Sequence, residues 1–404
     1  MGLAACQKQN TLQKEYSQVI SYEVSNPNDF TIQDAVLEVS VEALKRINPV
    51  FNPNAFVILV NGEECASQSN DIDGDGTADA IVLNVPLEAK ETGKLEIRFM
   101  PEGRVQRDYV KRTQAELSVK TGGYFEDHKY IGGEFGNVQS LRVPDQHTDH
   151  SFYIRYEGPG WESDLIAYRF YLDWRNATDI FGKKTKDLVL QDVGLDGLES
   201  YLEPGDWGMD ILKVGESLGI GAIGMWVDRH AQRIEKTDSL FSRIAVNGPV
   251  QSSAVETLYH GWEVNQQKYE VVSQLSINAG SRATKHHLEI FPEPSNLCTG
   301  IVKHEDTRLL QSMDENSEWQ YLATYGLQSL ANDTLGMAVL YKKNQLVALT
   351  EDEYSHVVVL SPENGQLDYY FLAVWQQEAP MSETEFINYL NEQIEVLNNP
   401  VTLK

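Results

Sequence analysis

The segment 147–184 constrains the fold more than any other stretch of this chain. It predicts two strands, 150–157 and 164–174, joined by a turn at Gly158-Pro159-Gly160. Because strand side chains alternate between faces, each strand has one apolar face and one polar face. The predicted polar faces consist of Tyr153, Arg155 and Glu157 in the first strand and Arg169, Tyr171, Asp173 and Arg175 in the second. Residues 151–190 contain six basic and six acidic residues, although the chain has a net charge of −27, so this window could bind an anion.

The composition favours an all-β protein with two domains. The chain has 404 residues, and its aromatic and β-branched runs are separated by 29 glycines and 14 prolines, as in strand-and-turn proteins. We therefore predict a tether at 1–14, a small N-terminal β-sandwich at 15–118 and a large antiparallel β-sandwich at 119–404. The strongly negative charge argues against nucleic acid or an anionic membrane surface as a partner.

Individual elements follow from local patterns. Residues 122–146 predict functional loops over a sheet, and Ser382 to Glu385 forms a capping box before one C-terminal helix with an apolar stripe from Phe386 to Leu397. Residues 42–47 predict a single helical turn. The predicted strands are 17–24, 35–41, 55–60, 80–85, 94–99, 240–247, 251–259, 268–277, 285–291, 299–304, 320–327, 336–342, 355–361 and 367–376.

The first residues resemble the end of a bacterial lipoprotein signal. Leu3-Ala4-Ala5-Cys6 is followed by a polar segment, and in such signals the cysteine carries the lipid. We therefore expect an exported protein, periplasmic or on the cell surface, that contacts the membrane only through a lipid on Cys6. The other two cysteines, Cys65 and Cys298, could form one disulfide or remain free.

An acidic, glycine-containing loop in the first domain has the spacing of a calcium-binding loop. Asp71, Asp73, Asp75 and Asp79 occupy positions 1, 3, 5 and 9, with Gly76 at position 6. The loop lacks the glutamate expected at position 12 and could instead be a turn that holds no ion. The pattern therefore predicts a structural Ca²⁺ site or an acidic hairpin turn.

Three blocks of sequence carry a resemblance to a known family: YEGPGWESDLIAYRFYLDWRNATDIFGKK, DWGMDILKVGESLGIG and TGIVKH. Together they resemble a domain-of-unknown-function family of bacterial polysaccharide-utilisation clusters. One member of that family is an oligosaccharide dehydratase in the breakdown of the green-algal polysaccharide ulvan. The resemblance implies a lyase/mutarotase-like β-supersandwich that removes water from a terminal uronic acid. Leu202 departs from the pattern, because related sequences carry a histidine there.

Removal of water from a uronate defines the groups that the site needs. The C5 proton is taken and the 4-hydroxyl is expelled, which requires a cation at the carboxylate, a base and an acid. No redox cofactor is needed. An acidic oligosaccharide would be the substrate, and a 4,5-unsaturated uronyl end would be the product.

Candidate residues for these roles follow from their chemistry. His147 and His150 are the predicted base and acid, with Tyr171 and Lys213 as further catalytic candidates. The guanidinium fork matches planar oxyanions, and indole rings stack on sugars. The predicted substrate-binding residues are Arg155, Arg169, Arg175, Trp161, Trp207 and His304.

Each of these assignments has a structural alternative. The histidines could lie on the surface or bind zinc together with Asp149 and Asp145, and the tryptophans could belong to the core. The arginines could form cross-strand ion pairs.

Two other functions stay open at the level of sequence. A glycoside hydrolase would use paired carboxylates such as Asp206/Asp210 or Glu157/Glu162, and a surface glycan-binding lipoprotein would need no catalytic base.

Overall fold

The computed structural model describes residues 15–312, 314 and 316–404, and it confirms the all-β prediction. The predicted tether and Cys6 lie outside these residues. The described chain divides into two compact units. Unit 1 runs up to Arg112 and includes Gly248–Gln251 and Glu395–Lys404, and unit 2 comprises Thr113–Asn247 and Ser252–Ile394. None of the described helices is long and apolar enough to cross a membrane.

Unit 1 is a β-sandwich with one short helix, α1 (Val41–Ile47), where the sequence predicts a helical turn. Its strands are β1 (Gln18–Ser25), β2 (Ile32–Ser40), β3 (Phe56–Val60), β4 (Glu63–Cys65), β5 (Ser67–Asn70), β6 (Ala80–Leu87), β7 (Thr92–Phe99) and β30 (Thr402–Leu403). They form two antiparallel sheets with the orders β30-β1-β7-β3-β4 and β2-β6-β5. The apolar residues that alternate along these strands, such as Ile58, Leu83 and Ile97, form the core.

The C-terminus returns to unit 1, whereas the sequence predicts a second domain that runs to the last residue. The backbone groups of Glu23 and Lys404 exchange two hydrogen bonds of 2.8 and 2.9 Å, so β30 extends the sheet beyond β1. The two cysteines named above are both free.

Unit 2 contains the other strands and two helices, α2 (Glu199–Leu202) and the start of α3 (Glu383–Asn398). Its strands are β8 (Thr113–Glu116), β9 (Ser118–Glu126), β10 (Lys129–Asn137), β11 (Ser140–Arg142), β12 (Gly160–Ser163), β13 (Ala167–Phe170), β14 (Thr178–Lys183), β15 (Gly208–Asp210), β16 (Gly224–Val227), β17 (His230–Arg233), β18 (Ser239–Arg243), β19 (Val246–Asn247), β20 (Gln251–Val264), β21 (Gln267–Asn278), β22 (Ala283–Phe291), β23 (Leu297–Val302), β24 (Thr307–Gln311), β25 (Trp319–Leu327), β26 (Thr334–Lys342), β27 (Leu346–Glu351), β28 (Ser355–Leu360) and β29 (Gln366–Trp375).

Three sheets make up the body of unit 2. A ten-stranded antiparallel sheet has the order β11-β18-β20-β21-β22-β29-β26-β25-β24, with β19 paired to β20. Two five-stranded sheets have the orders β15-β14-β13-β12-β8 and β17-β16-β23-β28-β27. Strand β12 lies over β21, and β23 lies over β25 and β26, so both smaller sheets face the large one. One continuous apolar core fills the space between them.

The sequence predicts the later strands well. Those expected between 240 and 376 are present, although the first is divided into β18 and β19. The capping box is confirmed by hydrogen bonds between Ser382 and Glu385, and Phe386, Leu390 and Ile394 of α3 are buried.

Two predictions in the middle of the chain are wrong. Residues 122–146, expected to be irregular loops, largely form the antiparallel hairpin of β9 and β10. Residues 150–157 are not a strand, because His150, Phe152, Tyr156 and Glu157 all have a left-handed backbone, which breaks the two-residue alternation. Gly158 lies where the chain passes the Phe170 carbonyl so closely that no side chain fits.

A buried hydrogen-bonded cluster of Ser273, His286 and Tyr369 lies in the core of unit 2. His286 accepts or donates through both ring nitrogens, at 2.7 Å to the Ser273 hydroxyl and 2.6 Å to the Tyr369 hydroxyl. Burial lowers the pKa of His286 to about 3. Its neighbour His287 points to the opposite face and pairs with Asp368 at 2.8 Å, as strand alternation predicts.

We predict that His286 makes the fold sensitive to acid. Its folded pKa of about 3 lies below the unfolded value of about 6.5. Between these values the unfolded chain binds more protons, so the free energy of unfolding falls as the pH falls through this window, by up to about 5 kcal/mol from this residue. Urea denaturation at about pH 7 and about pH 4.5 should show a smaller loss for His286→Gln than for wild type. Equal losses in the two proteins would contradict this assignment.

Candidate functional site

A cleft of about 300 Å³ in unit 2 is the candidate site. Its walls come from three irregular segments, 143–147, 172–176 and 234–240, and Tyr259 of β20 also lines it. Its polar lining includes His147, Asp173, Asn176 and Lys236. Cavities of this size hold small ligands, and convergent polar groups in them give orientation and specificity.

His147 is the only histidine along this cleft. Its Nδ1 atom lies 2.8 Å from the Ser151 hydroxyl, and its Nε2 atom is buried without a hydrogen-bond partner among the described residues. The Glu157 carbonyl lies near the ring, but no hydrogen bond of normal geometry reaches Nε2. Burial lowers the pKa of His147, although Asp173 and Glu157 oppose that shift. The ring is therefore neutral at pH 7, and its buried Nε2 atom has no hydrogen-bond partner among the described residues.

The turn from Asp173 to Asn176 shapes one wall of the cleft. The Asp173 carboxylate accepts hydrogen bonds from the backbone N–H and the Nε atom of Arg175, both at 2.9 Å. This tight turn leaves the Trp174 side chain exposed at its apex. Arg233 lies over the Trp174 ring at 5.3 Å. Its guanidinium donates to the backbone carbonyls of Gly215 and Ser217 and lies 4.0 Å from the Glu235 carboxylate.

Lys236 supplies a mobile cation to the opposite wall. Its ammonium group lies 2.9 Å from Glu263, and its side chain is 74% exposed. Exposed ion pairs of this kind contribute little stability, about 0–1 kcal/mol, so Lys236 can exchange this partner for a ligand carboxylate. Asp145, also in the lining, has no ion-pair partner within residues 15–312, 314 and 316–404.

The three predicted arginine ligands do not line a common pocket, so that prediction is wrong. Arg155 is buried against Glu116 and the Gln191 carbonyl. Arg169 is buried between Asp179 at 2.7 Å and Asp210 at 2.5 Å. A buried charge needs a paired or hydrogen-bonded partner, and here acidic side chains of the same unit already fill that role.

Arg175 joins a second cluster of charges. It contacts Asp173, Glu157 at 2.9 Å and Asp149 at 3.2 Å. Burial favours a higher pKa for Glu157, but Arg169 and Arg175 outweigh that effect and lower it to about 2. Arg175 is therefore already paired with these carboxylates and is not free to bind a substrate carboxylate.

The predicted catalytic Tyr171 belongs to the Arg169 network. Its hydroxyl donates to Asp179, and burial raises its pKa well above the usual value. Tyr171 is therefore a neutral structural group and not a base in an open site.

His150 and two neighbouring carboxylates could hold a metal ion. The ligand atoms of Asp149, His150 and Glu157 lie within 4.8 Å of one another. His150 is 2.6 Å from Asp149 and is exposed, whereas Arg175 already pairs with both carboxylates. Arg175 thus already contacts both carboxylates of this cluster, and His150 does not line the cleft.

Lys213 and His304, predicted from different blocks, lie near each other. The charge of Lys213 adds to burial in lowering the pKa of His304. Lys213 is exposed and has no ion-pair partner in the described part of the chain, and the buried Nε2 of His304 has no hydrogen-bond partner there. Neither residue lines the cleft that contains His147.

The two predicted stacking tryptophans do not provide an open platform. Trp161 is fully buried, and its indole N–H donates to Thr284 at 2.9 Å. Trp207 packs against the Phe181 ring at a centroid distance of 6.0 Å. Trp174, which the strand prediction placed at the end of a strand, is the exposed indole at this site.

The carboxylate pairs of the hydrolase alternative are not open pairs. Glu162 is fully buried, and Lys183 lies 2.6 Å from it. Asp210 is buried beside Arg169, while Asp206 is exposed. Glu157 pairs with Arg175. Neither pair therefore offers two accessible carboxyl groups.

The acidic loop of unit 1 is organised by its own backbone. Asp71 accepts hydrogen bonds from the N–H groups of Gly74 and Gly76, both at 2.8 Å, and Asp79 accepts one from Ile72 at 2.7 Å. Oxygens of Asp71, Asp73 and Asp79 also lie within 4.8 Å of one another. The calcium interpretation, which includes Asp75, stays a prediction.

Sequence reasoning missed Ser151, Arg233 and Lys236, and it named Asp145 only as a possible zinc ligand. Ser151 lies four residues after His147, and this spacing has meaning only once the chain turns back. Arg233 and Lys236 come from a segment far along the chain, and no local pattern connects them to His147. Only the structure brings these groups together.

Comparisons with known proteins identify the family. The sequence model of a domain of unknown function, DUF4861, matches residues 24–403. The chain belongs to this family. The expected membership of a domain-of-unknown-function family is therefore confirmed for this DUF4861 protein. No curated protein matches it significantly.

Two solved structures resemble the DUF4861 chain at low similarity. One is a protein in glycosyl hydrolase family 38 from Enterococcus faecalis, and the other is an alpha-mannosidase from Enterococcus faecalis V583. Each has 10% identity and a TM-score of 0.43, and they match 96% and 95% of this chain. This chain spans 47% and 46% of their lengths. Similarity at this level assigns no activity.

We predict that Arg169 supports the fold. Removing one partner of a buried ion pair leaves an unpaired charge and costs about 3–5 kcal/mol, so Arg169→Met should lower the free energy of unfolding by about that amount. The control is Arg46→Met, because Arg46 forms an exposed pair with Glu42 at 2.9 Å. That control should change stability by less than about 1 kcal/mol. Denaturant titration of both variants gives the comparison, and a stable Arg169→Met protein would contradict a structural role.

Proposed function

We propose that this DUF4861 protein is a carbon–oxygen lyase that removes water from the non-reducing-end uronic acid of acidic, ulvan-type oligosaccharides. The product is a 4,5-unsaturated uronyl end. Two observations support the proposal: the sequence blocks that resemble the dehydratase-containing family, and the cleft in which a neutral imidazole, a cation and an exposed indole converge. The catalytic and binding roles proposed below depend on which residues line this cleft.

The reaction breaks the C5–H and C4–O bonds and forms the C4=C5 double bond. The proton taken from C5 leaves with the 4-hydroxyl as water, so no oxidant or reductant is needed. Because the adjacent carboxylate disfavours further negative charge, a cation must neutralise it before the proton can leave. In the cleft, Lys236 is that cation.

Two groups in the cleft can accept the C5 proton. His147 is neutral at pH 7, and its buried Nε2 atom has no hydrogen-bond partner in the described chain. Asp145 is an exposed carboxylate without an ion-pair partner in the described chain. A single group that takes the proton on one side of the sugar can return it to the leaving hydroxyl on that side.

Trp174 and Arg233 complete the substrate side of the cleft. Sugar rings have apolar C–H faces that stack on indole rings, and Trp174 is the exposed aromatic residue at this edge. Burial lowers the pKa of Arg233, and its stacking on Trp174 holds the indole in place. A bound sugar ring would lie over Trp174 with its carboxylate toward Lys236.

A dehydratase accounts for these features better than the two alternatives do. The carboxylate pairs named for a hydrolase are closed by Lys183, Arg169 and Arg175. A glycan-binding module would need no buried, partner-free imidazole. We also propose that the protein is exported and held at the bacterial membrane through Cys6, as its N-terminal sequence predicts.

The decisive experiment incubates the protein with defined uronate-capped oligosaccharides. Mass spectrometry should show the loss of one water per molecule, and ultraviolet absorbance should rise as the unsaturated product forms. His147→Ala should lower kcat/KM by about 10²–10³-fold, because removal of a proton-transfer or oxyanion-stabilising group has that effect. The control is His260→Ala, since His260 is exposed on the outer side of β20 and pairs with Glu270.

Other outcomes would identify the alternatives. New reducing ends without added absorbance would indicate hydrolysis, and binding without turnover would indicate a glycan-binding protein. An unchanged rate in His147→Ala would remove His147 from the site.

A further inference from the structure

Ser151 lies behind His147 and is completely buried. Its hydroxyl is 2.8 Å from Nδ1 of the imidazole. Its backbone N–H donates to the Thr148 carbonyl at 3.0 Å, and its carbonyl accepts from Tyr130 of β10 at 2.7 Å. The backbone of Ser151 is therefore held from both sides, and its hydroxyl is fixed against the ring.

The residues on either side of Ser151 have an unusual backbone. His150 has φ = 56° and Phe152 has φ = 58°. Left-handed conformations at residues other than glycine are strained and persist where the surroundings enforce them, often at functional sites. Here they place Ser151 inward while His150 faces solvent. The strained backbone therefore allows Ser151 to contact His147.

The hydrogen bonds of Ser151 determine the direction of that contact. Its oxygen accepts a weak bond from the Tyr153 N–H at 3.4 Å. A hydroxyl has one hydrogen to donate, and Nδ1 of His147 is the only acceptor recorded for it among the described residues. Buried polar hydrogens are satisfied in nearly all proteins. The Ser151 hydroxyl therefore donates, and Nδ1 accepts.

This direction fixes the tautomer of His147. A neutral imidazole has one N–H group and one acceptor nitrogen, so acceptance at Nδ1 leaves the proton on Nε2. Since Ser151 occupies Nδ1, the buried Nε2 atom, which has no hydrogen-bond partner among the described residues, is the nitrogen left for a ligand. The charged groups around the ring are Asp173, Glu157 and Arg175, and burial outweighs their combined effect and keeps the ring neutral.

We propose that Ser151 is a positioning residue that holds His147 as an Nε2–H hydrogen-bond donor, so that the imidazole stabilises the negative oxygen of the enediolate instead of abstracting the C5 proton. A neutral imidazole is suited to this task, because it can donate a hydrogen bond without giving up its proton. The proton then goes to Asp145, which carries it from C5 to the leaving hydroxyl. The role of His147 in stabilising the enediolate rests on the proposed function, whereas the assignment of its tautomer does not.

The tautomer can be measured without any substrate. Nitrogen-15 NMR of histidine-labelled protein, with His147→Gln used to assign the signal, distinguishes protonated from unprotonated ring nitrogens. Wild type should show a proton on Nε2 and a bare Nδ1. In Ser151→Ala the two tautomers should mix, and Ser151→Thr, which keeps the hydroxyl, should restore the wild-type pattern. A proton on Nδ1 in the wild type would overturn the inference.

The catalytic role is tested by two variants of one residue. Glutamine keeps an N–H donor near the position of Nε2 but cannot act as a base, whereas alanine keeps neither property. If His147 is a donor, His147→Gln should keep kcat within about tenfold of wild type while His147→Ala loses about 10²–10³-fold. Equal losses in both variants would show a base and would overturn the donor role.

The Ser151 variants separate positioning from packing. Ser151→Ala should lower kcat about tenfold or more with little change in KM, and Ser151→Thr should recover most of it. A rise in KM alone would overturn the positioning role. If no uronate substrate is dehydrated, the proposed function fails, while the NMR measurement still decides the tautomer.

Discussion

Buried ion pairs are the constraint on which the middle of unit 2 depends. Charges that leave water must meet an opposite charge or several hydrogen bonds. In this protein Arg155, Arg169 and Lys183 meet that condition with Glu116, Asp179 and Asp210, and Glu162. These pairs tie β8, β12, β13, β14 and β15 into one sheet, and the 172–176 turn connects its strands β13 and β14. The charge-rich sequence block is therefore mainly a structural element.

The candidate site consists of polar groups that are not part of these buried ion pairs. His147 lies next to the cluster but is not part of an ion pair with it, and Asp145 and Lys236 come from segments outside the sheet. Such a division is physically reasonable, because groups that bind a substrate must be able to exchange their partners. The salt-bridged arginines cannot do so without a large loss of stability. The proposed sugar-acid ligand would therefore meet different residues from those that the charge pattern suggests.

The sequence predicts most of the fold because alternation is a local property. Strands such as 268–277 and 285–291 have apolar residues at every second position, and they appear as β21 and β22. The same reasoning fails at 150–157, because the residue types there do not predict that four residues other than glycine adopt a left-handed backbone. His147 follows from its residue type, whereas the role of Ser151 depends on a local left-handed turn and that of Lys236 on long-range packing. Trp161 was misplaced because a buried and an exposed indole have the same local pattern.

The central claim is that the sugar acid occupies the cleft of His147 and not the charge-rich sheet. A crystal structure of His147→Ala with a uronate-capped oligosaccharide tests it most directly. The account predicts the terminal ring on Trp174, with its carboxylate within hydrogen-bonding distance of Lys236 and its C5 atom near Asp145. A sugar bound elsewhere, for example beside Lys213 and His304, would contradict it.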